Sequence, residues 1–231
     1  MSDAMLYTPH GCVLYLDLRK VDGNKVYDYS GHGNHGTIYG ARLNQELPCR
    51  GLEFDGEDDY VKASPYPSLS ALTVEVVYYT PFRLGDVSGI VQHVFHGELN
   101  KPFIKFDDRA DHQRFEIFLN TVGGGDTLYA PCVVERGWHV LHFTYNGSLM
   151  ELYLDGVLID SKEHAYGGDV SAPSKVLLAT YREDGGFSKL TMTLTRIYNR
   201  ALSSDEVKKC FEDIQKRILR RIVAARDVSV R

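Results

Sequence analysis

Four cysteines in 231 residues, Cys12, Cys49, Cys132 and Cys210, are spread so widely that no Cys-x-x-Cys pair exists. That excludes a zinc ribbon or a thioredoxin-like redox centre and leaves the thiols as small, mostly buried side chains. An excess of positive charge is also missing. The 26 Lys and Arg face 31 Asp and Glu, a net charge of −5, whereas a nucleic-acid surface needs a cationic footprint. Apolar runs such as Val74 to Tyr79 fall far short of the roughly 18–20 residues of a membrane-spanning helix. The first ten residues have neither the basic start nor the apolar core of a secretory signal, so the location expected is cytoplasmic or virion-borne unless the chain has been trimmed. No Gly-x-x-x-x-Gly-Lys loop and no recognisable Ser-His-Asp order is present, which removes positive evidence for nucleotide binding or nucleophilic catalysis. Tryptophan occurs once against 15 tyrosines, so any aromatic binding platform would be built of tyrosine.

What is present, from Cys12 to Arg200, is a series of short β-rich runs punctuated by Gly, Asp, Asn and Pro, with no helical period. Strands are predicted over Val13 to Leu18, Gly51 to Phe54, Tyr60 to Ala63, Leu72 to Pro81, Gly89 to Phe95, Phe103 to Asp107, Arg114 to Asn120, Trp138 to Tyr145, Met150 to Leu154, Val157 to Ser161, Lys175 to Thr180 and Leu190 to Tyr198. Twelve strands exceed one flat sheet. In Trp138 to Tyr145 neither alternate set is polar, which predicts a strand covered on both faces and therefore stacked layers. Asp155-Gly156, between two apolar runs, supplies the positive φ angles of a tight hairpin.

The end of the chain differs. Ser203-Ser204-Asp205-Glu206 reads as a capping box, and Val207, Phe211, Ile214, Ile218 and Ile222 recur at spacings of four, three, four and four. An amphipathic helix is predicted over 203–225, followed by a tail at 226–231. Residues 203–231 carry a net +3 and residues 1–202 a net −8. The helix could lie on the preceding domain with a solvated basic face, or dock to a protein partner or a second copy of the chain.

Four segments together resemble the laminin G-like, concanavalin A-like lectin and glucanase superfamily: Asp28 to Thr37, Gly51 to Val61, Leu152 to Gly156 and Arg196 to Ser203. Gly137-Trp138-His139 before an alternating strand agrees with it. The resemblance implies an all-β fold over 1–202, a jelly-roll sandwich of two antiparallel sheets, with ligand sites on a concave face or in rim loops. It also implies that most members bind glycans or proteins without catalysis. Phe54, Val61, Tyr153 and Ile197 are expected in the core, and the glycines in turns.

Three chemistries can be placed on this chain. Calcium, which relatives often hold near the Asp28 loop, would take oxygens from Asp28 and Asn34; Thr193 stands where such relatives often carry an Asp, and the same two residues could instead close a turn. Hydrolysis would need the carboxylates of Glu53-Phe54-Asp55-Gly56-Glu57, which superficially resemble the retaining β-glucanase motif; a turn at Asp55-Gly56 would break the alternation aiming them at one face. The pairs His32/His35, His93/His96 and His139/His142 lack a completing ligand, and residues three apart on a strand face opposite ways unless a bulge intervenes. The function expected is therefore a non-catalytic carbohydrate-binding module with a glycan or polysaccharide partner. A structural or protein-interaction role, such as a virion or surface component, is the alternative, and a glycosidase the third. Sugars need aromatic faces and planar polar groups. The loop tyrosines Tyr66, Tyr129, Tyr166 and Tyr181, the polar stretch Asp107 to His112 with Arg109 and His112, and the glycine run ending at Asp126 are the candidates.

Overall fold

The computed structural model describes residues 6–45, 50–86, 88–97, 102–109, 112–170 and 172–219. The strands in chain order are β1 (Cys12–Asp22), β2 (Lys25–Asp28), β3 (Gly36–Tyr39), β4 (Arg42–Asn44), β5 (Gly51–Asp55), β6 (Tyr60–Ala63), β7 (Leu72–Thr80), β8 (Val91–Gly97) and β9 (Pro102–Asp107). They continue with β10 (Arg114–Thr121), β11 (Gly124–Pro131), β12 (Gly137–Tyr145), β13 (Leu149–Leu154), β14 (Val157–Glu163), β15 (Val176–Leu178), β16 (Thr180–Arg182), β17 (Gly185–Phe187) and β18 (Lys189–Tyr198). One helix, α1 (Ser204–Ile214), follows and continues into a π-helical turn, Gln215–Leu219.

An antiparallel ladder runs β11-β10-β9-β8-β15-β6-β3-β2-β1-β18-β7-β12-β13-β14, with β5 joined to β18 and β4 to β5. It folds over so that its halves face each other. Leu14, Leu16, Val74, Val76, Leu141 and Phe143 from one half pack in a single cluster with Phe95, Ile104, Phe106, Phe115, Ile117 and Leu119 from the other. The outer strands of the two halves also meet, since Lys162 of β14 donates to Asp126 (2.6 Å) and to the Thr127 carbonyl (3.0 Å) of β11. A small separate sheet, β16 and β17, completes the all-β sandwich.

Strict alternation explains the layering. In β10 the even-depth pattern buries Phe115, Ile117 and Leu119 and leaves Arg114, Glu116 and Phe118 partly exposed. In β12 one set, Leu141, Phe143 and Tyr145, enters the central core, while Val140 joins a second cluster with Tyr15, Val77 and Leu194. That second cluster is closed by Ile214 and Ile218, and a third by Val207 and Cys210 against Tyr153 and Tyr198. The helix therefore lies on the outer face of the β1-β18-β7-β12 layer. Its start is the predicted capping box: the Glu206 amide donates to Ser203 Oγ at 3.3 Å, and Glu206 Oε2 accepts the Ser203 amide at 3.0 Å. Ile222 and the rest of 220–231 lie outside the described residues. So does Cys49; Cys12, Cys132 and Cys210 are free thiols.

Phe54 (1% exposed), Val61, Tyr153 and Ile197 are buried as expected, and the hairpin at Asp155 (φ 52°) and Gly156 (φ 78°) is present. Several expectations are corrected. The glycine run before Asp126 is not a flexible loop: Thr121 pairs with Gly124 and Asn120 with Gly125, so the run opens β11. The reason is a close approach, since a Cβ on Gly125 would lie 2.4 Å from Phe118 Cζ, and glycine lets that ring lie on the backbone. Tyr129 and Tyr181, expected in loops, are on β11 and β16. Tyr66 is sealed in the core at 2% exposure, and burial raises its hydroxyl pKa.

Candidate functional site

The outer face of the half opposite the helix is open. A depression of about 300 Å³ lies on β8 to β11, with Phe103 and Lys105 from β9, Glu116 and Phe118 from β10 and Tyr129 from β11 among its lining. Tyr181, from the small hairpin β16–β17, forms one wall; its ring centroid lies 5.4 Å from Phe103, 5.6 Å from His93 and 5.1 Å from His96. Strict alternation would send His93 and His96 to opposite faces. A register shift between His93 and Phe95 turns both rings onto Tyr181 and Phe103. Burial pushes the His93 imidazole down to about 4, with the Lys105 ammonium adding to the effect, so this ring is neutral at physiological pH. The opposite wall carries a second stack: the Arg114 guanidinium lies 4.0 Å from the Tyr129 ring centroid.

One end of the groove rests on a charged network. Asp107 is fully buried and receives Lys105 Nζ (3.0 Å), Arg109 Nε and Nη2 (2.8 and 2.6 Å) and a contact from His112 Nδ1 (3.2 Å). Burial alone would raise its pKa, but the hydrogen bonds from Arg109, Lys105 and His112 outweigh that and hold the carboxyl well below the usual range. Lys105 also meets Glu116 at 2.8 Å, and Arg114 reaches Glu116 at 3.1 Å. Asp107, His112 and Glu116 offer ligand atoms within 4.8 Å of one another. The Lys105 ammonium already bridges the two carboxylates, so a basic side chain fills the place a cation would take.

The other candidates separate from this groove. Of the sequence-predicted residues, Tyr129 and Tyr181 line it, and Arg109 and His112 stand at its charged end, while Asp126 accepts from Lys162 and from the Ala165 amide (2.9 Å) and ties β11 to β14. Tyr166 is exposed beside Gly123 and Gly124, at the far end of that hairpin. Asp28 accepts from the Tyr15 and Ser30 amides and from the Ser30 hydroxyl and Asn34 amide, all at 2.8–2.9 Å, while Asn34 Nδ2 donates to the Val13 carbonyl. Those donors occupy the oxygens of Asp28 and close the turn. Thr193 donates to the Arg50 carbonyl at 2.9 Å. Glu53 and Asp55 lie on the exposed side of β5, a strand bonded to β18 in the other half, beside Asp58 and Asp59. Gly56 (φ 88°) then turns the chain before Glu57.

Sequence reasoning missed Phe103, Lys105, Glu116, Phe118 and Thr127, and named His93 only as one of a histidine pair with His96. A usable signal was present: on β9 and β10 the partly polar alternate sets, Phe103-Lys105-Asp107 and Arg114-Glu116-Phe118, each contain an aromatic where a solvated face needs none.

The family follows from comparison with known proteins. Residues 55–208 match a family model described as the Concanavalin A-like lectin/glucanases superfamily, and the chain belongs to that superfamily. No curated protein matches it. Among solved structures it is similar to the binding domain of botulinum neurotoxin serotype D (TM-score 0.66, 14% identity, 87% of this chain and 51% of that one). It is similar to the binding domain of Paraclostridial Mosquitocidal Protein 1 (0.67, 18%, 87% and 52%) and to that of botulinum neurotoxin DC, solved in complex with SialylT (0.67, 13%, 89% and 52%). At such identities the likeness is one of fold, and this chain spans about half the length of those chains.

Proposed function

We propose that the domain is a non-catalytic carbohydrate-binding module whose ligand lies in the groove on β8 to β11. The observation carrying this reading is the lining itself. Phe103, Phe118, Tyr129 and Tyr181 present rings around a site that also holds Lys105, Glu116 and Thr127. Ring faces suit the apolar side of a pyranose, and planar charged groups suit its hydroxyls. The solved complex of a similarly folded neurotoxin domain with SialylT supports a saccharide ligand.

The carboxylates of the groove favour binding over hydrolysis. A retaining glycosidase needs two carboxyl groups about 5–5.5 Å apart, one of them able to donate a proton. Glu116 is engaged by Lys105 and Arg114, and Asp107 is buried and held ionised. Glu53 and Asp55, the motif carboxylates, belong to a strand of the other half. Because Lys105 does the bridging, binding is expected to be independent of calcium.

The test is a broad glycan array, read with calcium and then with chelator, alongside Tyr129→Ala. A saturable signal that persists in chelator and is lost in the variant is expected. Silence on every glycan from protein shown to be folded overturns the reading.

A further inference from the structure

The charged end of the groove has a direction. Its carboxylates and Lys105 are inside and its two guanidiniums further out: side-chain exposure is 0% for Asp107, 14% for Lys105 and 15% for Glu116, against 24% for Arg114 and 54% for Arg109. Three permanent cations, Lys105, Arg109 and Arg114, meet two carboxylates here, although the chain as a whole has a net charge of −5. A further carboxylate, Asp108, is buried next to Arg109 and accepts from Ser88 Oγ, so what this end presents to solvent is chiefly the exposed Arg109 guanidinium.

The guanidiniums are also only half used. Arg109 spends Nε and Nη2 on Asp107, and Arg114 spends Nε and Nη2 on Glu116, so Nη1 of each has no hydrogen-bond partner among the described residues. Arg114 lies opposite Asp107 across β9 and β10, which brings it to the end of the groove where Arg109 is anchored, and its plane rests on the Tyr129 ring. A fork held in place by a buried carboxylate loses little freedom on binding. It suits a planar carboxylate better than a hydroxyl.

We propose that the groove selects a carboxylate-bearing saccharide, a uronic or sialic-type residue. Its acid group meets Nη1 of Arg109 and Arg114, and its ring lies on the aromatic lining. This inference rests on the reading of the groove as a saccharide site. Both sugar classes offer the same carboxylate, and the experiment separates them.

The probes are oligogalacturonate and oligosialic acid, each paired with its carboxyl-reduced form, titrated calorimetrically against the full chain at fixed salt. The carboxylated form of at least one pair is expected to bind about tenfold or more tightly than its reduced form, the scale of a charge-assisted hydrogen bond. Arg109→Gln and Arg114→Gln should each abolish most of that preference, with melting temperature confirming the fold, while Lys208→Gln on the helix leaves it intact. Equal affinity for carboxylated and reduced forms, with Tyr129→Ala weakening both, overturns the inference and leaves the saccharide site standing. Failure of both forms of both pairs, with neutral glycans still bound on the array, overturns the inference too. No binding to any saccharide overturns the site itself.

Discussion

The outer faces of the two layers use the same chemistry to opposite ends. Under α1, Glu75 receives Arg196 Nε at 2.6 Å and His142 Nε2 at 2.9 Å, all three residues fully buried, with Cys210 of the helix against them. On the other layer Asp107 receives Lys105, Arg109 and His112, with Arg109 open to water. Both are carboxylates held by an arginine and contacted by a histidine. One is sealed beneath a helix and the other forms the end of an open groove. A cluster's residue types therefore do not make it a site; access does. In both clusters a basic side chain is bonded to the carboxylate, so ion pairing is the shared motif.

The comparison can be broken most severely by removing the roof. Truncation after Leu202 uncovers the apolar face that Val207, Ile214 and Ile218 cover. At roughly 1.5–3 kcal/mol per buried aliphatic side chain, the loss approaches the whole stability of a domain of this kind. The expected result is loss of a cooperative thermal transition; an unchanged melting curve would mean the helix is an appendage.

The next largest effect comes from breaking one pair in each cluster. Arg196→Met strands the Glu75 carboxylate beneath the helix and should cost about 3–5 kcal/mol by chemical denaturation. Arg109→Ala, at an exposed rim, should cost less than about 1 kcal/mol. Equal costs would erase the distinction between sealed and open clusters.

Acid titration sharpens the same contrast. Burial works against ionisation of Glu75, but Arg196 and His142 outweigh it and pull its pKa down to about 2. Arg109, Lys105 and His112 lower that of Asp107. Folded-state values below the unfolded one, about 4 for carboxylates, mean that the stabilisation is complete above that value. It is lost as the pH falls through the folded-state values. The denaturation midpoint should decline gently from pH 7 to about 5, as the buried His93 resists the proton its unfolded form takes up, and fall steeply below about 4, with Asp107→Asn showing a shallower fall. A midpoint that rises on acidification would reverse the sign and contradict the pairing.

The smallest effect on stability is expected at the groove wall. Tyr129 is 48% exposed, so Tyr129→Ala should leave the melting temperature nearly unchanged while removing about 1 kcal/mol or more of saccharide affinity.

Much of the fold is legible in the sequence because burial imposes a period. The β10 and β12 alternations, the Asp155-Gly156 turn and the Ser203/Glu206 capping box are local patterns with one physical solution. Short β2 and β3 are not legible, since the Asp28-to-Gly36 stretch between them is dense in turn formers and β3 takes its second pairing partner, β6, from well along the chain. The opening of β11 is hidden for a different reason: Gly124 and Gly125 read as a turn until the Phe118 ring is seen to need the space. Tyr129 and Tyr181 could be named from residue type, but Tyr66 was equally eligible and is in the core. The groove depends on a bulge at His93 and on a hairpin folded back from 180–187, and both are tertiary facts.

The most direct test of the central claim is to titrate isotope-labelled protein with a saccharide and map the amide and side-chain shifts. Saturable shifts concentrated at Phe103, Lys105, Glu116, Thr127, Tyr129 and Tyr181 are the expected result. Saturable shifts confined to the helix-covered face or to the turn around Asp28, with the groove silent, would contradict it.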